Sequence, residues 1–274
     1  MRTLRNYLGD DLFFKGLKQY VAHFTYNTAS TEDFQRIMEQ ETGKNLDAFF
    51  QNLIHQPGFR VLQADVLGVK RGKGTFAASV RLSQHRLGVD SAVADSWQIP
   101  VAFYDQQGQM AVAPVAYNWA EESTLSTVNL PFKPVFAWVD PAQTLIKAQM
   151  QESFNLHEGL EFNSRECYLS IRQEKEHDAQ VLAEYLLQAP FQGSAPCYWR
   201  IFSTGPVAGT TLHFSLNRLR DRALYEQSNP VVKVLYRKDS TQKWQELKSE
   251  TVDLKQRNLQ VQVPLQRGEY ALSY

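Results

Sequence analysis

The sequence has few cysteines, no long apolar run and no excess of charge of either sign. Only Cys167 and Cys197 occur, so the chain is not a disulfide-rich scaffold; the pair could form one disulfide or remain two buried thiols. No apolar stretch approaches the roughly 20 residues of a membrane-spanning helix. The first five residues carry two positive charges without an apolar core behind them, which is not the pattern of a signal peptide.

Charge and composition exclude further classes. Lys+Arg and Asp+Glu are both 29, so the chain lacks the basic footprint of a nucleic-acid-binding protein. The 43% hydrophobic and 12% aromatic residues are enough for packed cores, and 274 residues suggest two or three domains. The chain is therefore expected to be globular.

Residues 1–58 are predicted to be helical. Apolar residues recur at helical spacing between Asp10 and Phe24, behind Gly9. A second helix is expected to start at Ser30, in a capping-box-like arrangement with Asp33, and to end at Gly43. A third follows Asn45 and stops at Pro57-Gly58. Each of these amphipathic helices requires a partner for its apolar face.

Beyond residue 58 the pattern alternates, which is typical of strands. Short alternating segments separated by turn residues predict a small antiparallel β-sandwich over residues 59–148. Residues 149–274 predict a second β-rich domain, and the spacing of its apolar residues allows a helix near 178–188. The expected fold class is α+β: a short α-helical segment, then two mostly β, sandwich-like domains.

Several segments resemble one known family of enzymes. Three of them are the run from Leu4 to Tyr20 (LRNYLGDDLFFKGLKQY), the run YNTASTEDF at 26–34 and the run LDAFF at 46–50. They resemble the end of the catalytic domain in the aminopeptidase N-like zinc metallopeptidase family. Gln56-Pro57-Gly58-Phe59 resembles its closing segment, with Arg60 where the family usually has proline. Trp97-Gln98-Ile99-Pro100-Val101 is similar to a strand of the family's small β-sandwich. The resemblance covers roughly the first 148 residues.

The resemblance implies a parent enzyme that removes N-terminal residues from peptides with zinc-activated water. Two histidines of an H-E-x-x-H helix and a downstream glutamate would hold the zinc. In the family all of these elements precede the matching segment, and none maps onto this sequence, because no two of its six histidines are four residues apart. We therefore assign no catalytic, cofactor-binding or metal-ligating residue to this chain, and expect zinc only in the intact parent.

The remaining candidates have simpler structural explanations. His157-Glu158-Gly159-Leu160-Glu161 is an imperfect imitation of the zinc motif, and the charged run 174–178, which includes His177, is best explained as a solvated surface. Three glycines between 68 and 74, among basic residues, favour a hairpin turn over a phosphate site. Trp97, Trp138 and Trp199 are expected in cores, whereas Trp119 and Trp244 are the better candidates for lining a groove.

Two hypotheses for the function follow from the sequence and the resemblance. The first is a non-catalytic C-terminal fragment of a zinc aminopeptidase that supports the catalytic domain and the peptide cleft. Its partners would be the missing N-terminal catalytic portion and, through that enzyme, peptides, and its exposed helix faces would favour self-association. The second is a stand-alone β-domain binding or scaffold module. A peptidase with an unrelated active site has no positive support. The compartment is supported by the resemblance alone, which suggests a bacterial parent enzyme that is exported to the periplasm or the extracellular space.

Overall fold

The computed structural model describes residues 1–88, 91–156, 161–173, 179–215, 231–253 and 259–274. The chain begins with helices and continues as antiparallel sheets, which confirms the predicted α+β class. The helices are α1 Arg2–Leu8, α2 Asp10–Phe24, α3 Thr31–Thr42 and α4 Asp47–Phe50, the last continuing into a π-helical turn, Gln51–His55. Among the described helices, none is long and apolar enough to cross a membrane.

The helix ends follow the local sequence signals. The Ser30 hydroxyl accepts a hydrogen bond from the Asp33 amide, and the Asp33 carboxylate accepts one from the Ser30 amide, which is the predicted capping box. Gly43 ends α3 in the left-handed conformation at φ 68°, where a side chain would be strained. The predicted starts and stops of α2 and α3 are thus confirmed, while α1 is an additional helix before Gly9.

The first β unit has six strands: β1 Phe59–Arg71, β2 Phe76–Leu87, β3 Ser96–Tyr104, β4 Met110–Asn118, β5 Ser123–Leu130 and β6 Phe136–Val139. They form two three-stranded antiparallel sheets, in the orders β1-β2-β5 and β4-β3-β6. Alternate side chains of both sheets point into one core, and those of α1 to α4 enter the same core. Phe49 of α4 stacks on Trp97 of β3 with ring centroids 5.4 Å apart, and Tyr7 of α1 contacts the same indole at 4.8 Å. The helices and the first β unit therefore share one hydrophobic core.

The change from helix to sheet occurs at Gly58. Its φ of 93° is rare for L side chains, and a Cβ added there would lie 2.3 Å from the carbonyl oxygen of Leu87. Only glycine allows the backbone to pass this close to the end of β2.

The strands of the second β unit are β7 Gln149–Leu156, β8 Glu161–Ser164, β9 Leu169–Gln173, β10 Ala179–Leu186, β11 Ser194–Ser203, β12 Thr210–Ser215, β13 Lys233–Arg237, β14 Gln245–Leu247, β15 Glu250–Asp253, β16 Leu259–Pro264 and β17 Gly268–Ser273. A six-stranded sheet, in the order β14-β13-β17-β11-β10-β7, packs against a five-stranded sheet, in the order β15-β16-β12-β9-β8. Trp199 and Phe214 meet in the core between them with ring centroids 4.5 Å apart.

The helix expected near 178–188 is wrong, because the described part of that segment is strand β10. β10 is a central strand that pairs with β7 on one side and β11 on the other. Every residue from Val181 to Leu186 is buried. A strand covered on both faces is apolar throughout, and such a run cannot be distinguished from a buried helix by periodicity alone.

Candidate functional site

The described histidines do not form a metal site. His23, His55 and His85 are exposed on separate elements, and His213 lies on β12. Among the described residues, no group of three or more His, Cys, Asp or Glu side chains is arranged to hold a metal ion. Segment 157–160 and the charged run 174–178 lie outside the described residues, and Glu161 opens β8. The part of the chain that the structure describes therefore does not supply the zinc ligand set of the family.

The tryptophans are packing residues. Trp119 is 1% exposed and contacts Trp97 edge to face at 4.7 Å, so the expectation that it lines a groove is wrong. The partly buried Trp244 packs against Phe191, and the Arg237 guanidinium lies 4.4 Å from its ring centroid. The expected core positions are confirmed for Trp97, Trp138 and Trp199.

The basic glycine-containing segment is a hairpin, as predicted. Residues Arg71 and Phe76 pair at the end of β1 and β2, and the Gly72 amide donates to the Thr75 carbonyl at 2.8 Å. Lys70 and Lys73 are exposed near this turn. Basic side chains at a hairpin tip keep it solvated, and the geometry gives no phosphate cradle.

The two cysteines are buried thiols, one of the two arrangements that the sequence left open. Burial raises the pKa of Cys167 from 9.0 to about 12. The Cys167 thiol contacts the Ala183 carbonyl at 3.6 Å, and its own carbonyl accepts a hydrogen bond from the Trp199 indole at 2.7 Å. A neutral, enclosed thiol is a poor nucleophile, so Cys167 serves packing.

The two β units meet first through apolar side chains. The outer face of β3 and β6, with Tyr104 and Trp138, packs against Leu182 of β10 and Phe202 of β11. Phe136 stacks on Phe202 with ring centroids 4.9 Å apart and planes 2° apart. These contacts bury one face of the first unit's sheet against the six-stranded sheet of the second.

A group of buried charges lies beside this apolar contact. We name it the Arg200 cluster: Arg200, Glu184, Asp65 and Glu269. Arg200 Nη1 lies 2.6 Å from Glu184 Oε2, Nη2 lies 3.7 Å from Asp65 Oδ1, and Nε lies 3.5 Å from Glu269 Oε1. Arg200 Nη2 also donates to the Ala64 carbonyl at 2.9 Å. One guanidinium on β11 thus holds β1 of the first unit and two strands of the second.

Peripheral groups complete the Arg200 cluster. Arg237 lies 2.6 Å from Glu269, and Arg81 lies 2.9 Å from Asp65. Burial disfavours charge on Arg200, but the three carboxylates more than offset it and raise the pKa of the guanidinium. Burial also opposes ionisation of Asp65, yet Arg200 and the neighbouring donors hold the pKa of that carboxyl below its ordinary value. The arrangement is a paired ionic connection between the units.

A cavity of about 70 Å³ opens beside the cluster, between Phe136 and the loop 238–241. Ligand pockets for small molecules usually measure about 300–1,000 Å³, so this one is too small for a peptide. Three of the charges that line it, Asp65, Arg200 and Glu269, already bind one another, and Lys238 and Asp239 complete its charged lining. The cavity does not constitute an active site.

Two charged residues within apolar strands indicate the cluster in the sequence, and our prediction missed them. Glu184 interrupts the apolar run of β10, and Arg200 interrupts the apolar run of β11. A single charge inside a strand buried on both faces needs a partner of opposite sign.

The helical segment presents uncovered apolar side chains to solvent. On α2, Phe14 is 50% and Val21 is 56% exposed, and the partly buried Leu17 lies between them on the same face. Tyr26, which follows the helix, is fully exposed at φ 64°. Phe13 and Gly16 of the same helix are buried, and Leu17 packs against the shared core beside them. We refer to the exposed Phe14 and Val21 as the α2 outer face.

Comparison with known proteins identifies a family whose sequence pattern matches this helical segment. The signature of the Peptidase family M1 domain matches residues 1–53. Aminopeptidase N of Lactococcus lactis subsp. lactis is 25% identical over 119 residues, which are 43% of this chain and 12% of that protein. The chain is related to the M1 aminopeptidases.

Two further proteins are similar to this chain over a comparable length. Aminopeptidase M1 of Arabidopsis thaliana is 30% identical over 102 residues, 37% of this chain and 11% of that protein. Tricorn protease-interacting factor F2 of Thermoplasma volcanium is 24% identical over 113 residues, 41% of this chain and 13% of that protein. The aligned part of this M1-related chain thus spans about an eighth of the length of these relatives or less.

Proposed function

We propose that this chain is a non-catalytic C-terminal portion of a zinc-dependent aminopeptidase, which supports the catalytic domain and helps to wall in the peptide cleft of the parent enzyme. The observation that carries the proposal is the match of residues 1–53 to the Peptidase family M1 domain. Relatives named as aminopeptidases add support. The sequence contains no H-E-x-x-H motif, so zinc and the catalytic groups would belong to the parent's preceding part.

A supporting role requires rigidity, and the packing supplies it. The shared core joins α1 to α4 to the first β unit, and the Arg200 cluster joins that unit to the second. We propose three modules, residues 1–58, 59–148 and 149–274, of which the first two fold around one core. Displacement of the helices would therefore be transmitted to both β units.

The catalytic portion is the proposed partner of the α2 outer face. Exposed apolar side chains at helical spacing are typical of a surface that another element covers. Without that partner, the same face would promote self-association of the isolated chain. Replacing Phe14 and Val21 with serine should lower the apparent mass in sedimentation velocity, because it removes the apolar surface.

The matched control for this experiment is Leu125→Ser, which removes a 70% exposed leucine from β5, far from the helices in sequence. The control should self-associate like the unchanged chain. Equal sedimentation of the unchanged chain and the double serine variant would contradict a role for the α2 outer face.

The absence of catalysis in the chain itself has a direct test. The purified chain is equilibrated with zinc, freed of excess metal, assayed for zinc and tested on a broad panel of aminoacyl substrates. We expect zinc near zero and hydrolysis at the level of a blank. One tightly held zinc per chain with hydrolysis would overturn the proposal and direct attention to residues 157–161 and 174–178.

The alternative is a stand-alone binding or scaffold module. The observation that favours it is that the helices already bury most of their apolar faces against the first β unit. A monomeric chain with no affinity for an M1 catalytic portion supplied separately would support this alternative.

A further inference from the structure

A second arginine, Arg60, is buried without the carboxylates that accompany Arg200. Arg60 lies near the start of β1, is 3% exposed, and faces Arg86 of β2 directly in the antiparallel register. Tyr117, which is 1% exposed, lies at the end of β4. The charge on Arg60 and the charge on Arg86 both act on the Tyr117 hydroxyl, so the three groups are neighbours. We name Arg60, Arg86 and Tyr117 the Arg60 cluster.

The Arg60 cluster has more hydrogen-bond donors than acceptors. Arg60 Nη1 donates to the Asn52 carbonyl at 2.9 Å, and Arg86 Nη2 donates to the Ala120 carbonyl at 2.9 Å. Arg60 Nε, Arg60 Nη2, Arg86 Nε and the Tyr117 hydroxyl are buried and have no partner. The unpartnered acceptors among these described neighbours are the side-chain oxygen of the adjacent Gln84 and the Tyr117 hydroxyl oxygen, which face three unpartnered guanidinium nitrogens. Buried donors are normally satisfied, so this group lacks an acceptor.

The charge of the Arg60 cluster is also uncompensated. None of the ion pairs formed by described residues includes Arg60 or Arg86. The Arg60 guanidinium lies 4.5 Å from the Trp119 ring centroid; the aromatic face attracts its charge but supplies no oxygen acceptor. Burial and the charge of Arg86 together lower the pKa of Arg60. Two like charges on directly opposite strand positions repel.

Arg86 connects the cluster to solvent. It lines a surface cavity of about 420 Å³ together with Gln84, His85, Glu122 and Gln188. Of the Arg60 cluster only Arg86 lines this cavity, so a small molecule in it would meet Arg86 first, and Arg60 lies opposite Arg86 on β1. Glu122 places one negative charge in the lining, which favours a ligand of low charge over a polyanion.

We propose that the Arg60 cluster binds a small oxyanion of the carboxylate or phosphate type. Such a ligand presents several oxygen acceptors and a negative charge, which are the two properties that the described surroundings lack. Guanidinium groups bind these ligands through charge-assisted, frequently bidentate hydrogen bonds. The proposal concerns the first β unit and is independent of the proposed aminopeptidase function.

The test measures anion binding to the full chain. Thermal unfolding and isothermal titration calorimetry are recorded with sodium acetate and sodium phosphate, with sodium chloride holding the ionic strength constant. We expect a saturable rise of several degrees in Tm with at least one anion. Arg86→Gln should weaken that binding at least tenfold. Because Arg86 is partly exposed, this variant should destabilise the fold less than a change at the buried Arg60.

Arg71→Gln is the matched control, because Arg71 lies on the same pair of strands at the exposed hairpin end. It should bind like the unchanged chain. A response to acetate alone identifies a carboxylate ligand, and a response to phosphate alone identifies a phosphate ligand. No saturable binding of either anion, or equal binding by Arg86→Gln and the unchanged chain, would overturn the proposal; general salt stabilisation does not saturate and is shared by all variants.

Discussion

Replacement of Arg200 with methionine is expected to remove the ionic connection between the two β units. Methionine keeps an unbranched side chain of similar reach but leaves Glu184, Asp65 and Glu269 buried without their shared cation. Removing one partner of a buried ion pair typically costs about 3–5 kcal/mol of the free energy of unfolding. We expect a loss in that range at pH 7, measured by urea unfolding with tryptophan fluorescence.

The loss should depend on pH in a defined direction. Burial raises the pKa values of Glu184 and Glu269 in the unchanged chain, although Arg200 lowers them. Removal of Arg200 should raise these pKa values further, so the folded variant should bind protons more readily. A carboxyl whose pKa is raised in the folded state contributes to the free energy of unfolding at low pH. That contribution is lost as the pH rises through the folded-state pKa. The difference between the variant and the unchanged chain should therefore shrink as pH is lowered from 7 towards 5.

An exposed ion pair of the same sheet provides the control. Lys233 and Glu246 lie 3.0 Å apart, and their side chains are 51% and 56% exposed. Lys233→Met should cost about 0–1 kcal/mol, because solvent screens the pair. A double-mutant cycle of Arg200→Met with Glu184→Gln should show coupling above about 1 kcal/mol. A loss for Arg200→Met as small as that for Lys233→Met, or additivity in the cycle, would refute the assigned role of the cluster.

Three further changes test the shared core, the helix-to-sheet junction and the buried thiol. Phe49→Ala should cost about 3–5 kcal/mol in urea unfolding, because it opens a cavity beneath the β3 indole, whereas Phe14→Ala on the exposed side should change stability by about 0.5 kcal/mol or less; equal effects would argue against the shared core. Gly58→Ala should destabilise more than Gly74→Ala in the same assay, since both residues have positive φ but only Gly58 has a carbonyl oxygen at 2.3 Å from the added Cβ; a free energy of unfolding equal to that of the Gly74 variant would exclude the close approach. Cys167 should resist a thiol-specific reagent from pH 7 to 9 in the folded chain and react once urea unfolds it, because its pKa is about 12; fast labelling of the folded chain at pH 8 would contradict its burial.

Local interactions account for what the sequence predicted well. The capping box of Ser30 and Asp33 joins residues three apart, and the positive φ of Gly43 is set by the last turn of α3 itself. The resemblance to the aminopeptidases likewise rests on a continuous segment, and the M1 domain match falls on it. Helix boundaries, turn residues and family signatures are properties of neighbouring residues, so the sequence displays them directly.

The contacts that connect the modules join residues far apart in the sequence, so they could not be predicted from neighbouring residues. Arg200 reaches Glu184, 16 residues away, and the Ala64 carbonyl, 136 residues away, and Gln63 donates to Glu269, 206 residues away. The single charges of β10 and β11 indicated that partners were needed, but sheet order and register selected which carboxylates they met.

The same reasoning explains the two wrong predictions. β10 resembled a helix because both of its faces are buried: Ala183 and Tyr185 lie in the core of the second unit, and Leu182 packs against the first unit. Its apolar residues therefore lack the alternation of a half-buried strand. Trp119 lies among polar residues in the sequence, yet Trp97 of β3 and Arg60 of β1 enclose it together with the nearby Tyr117. The contacts with β3 and β1 arise only in the folded chain. The sequence by itself determined the helices, the β-rich remainder and the aminopeptidase relationship; the tertiary structure decided which charges are buried together, because burial depends on contacts between strands far apart in the chain.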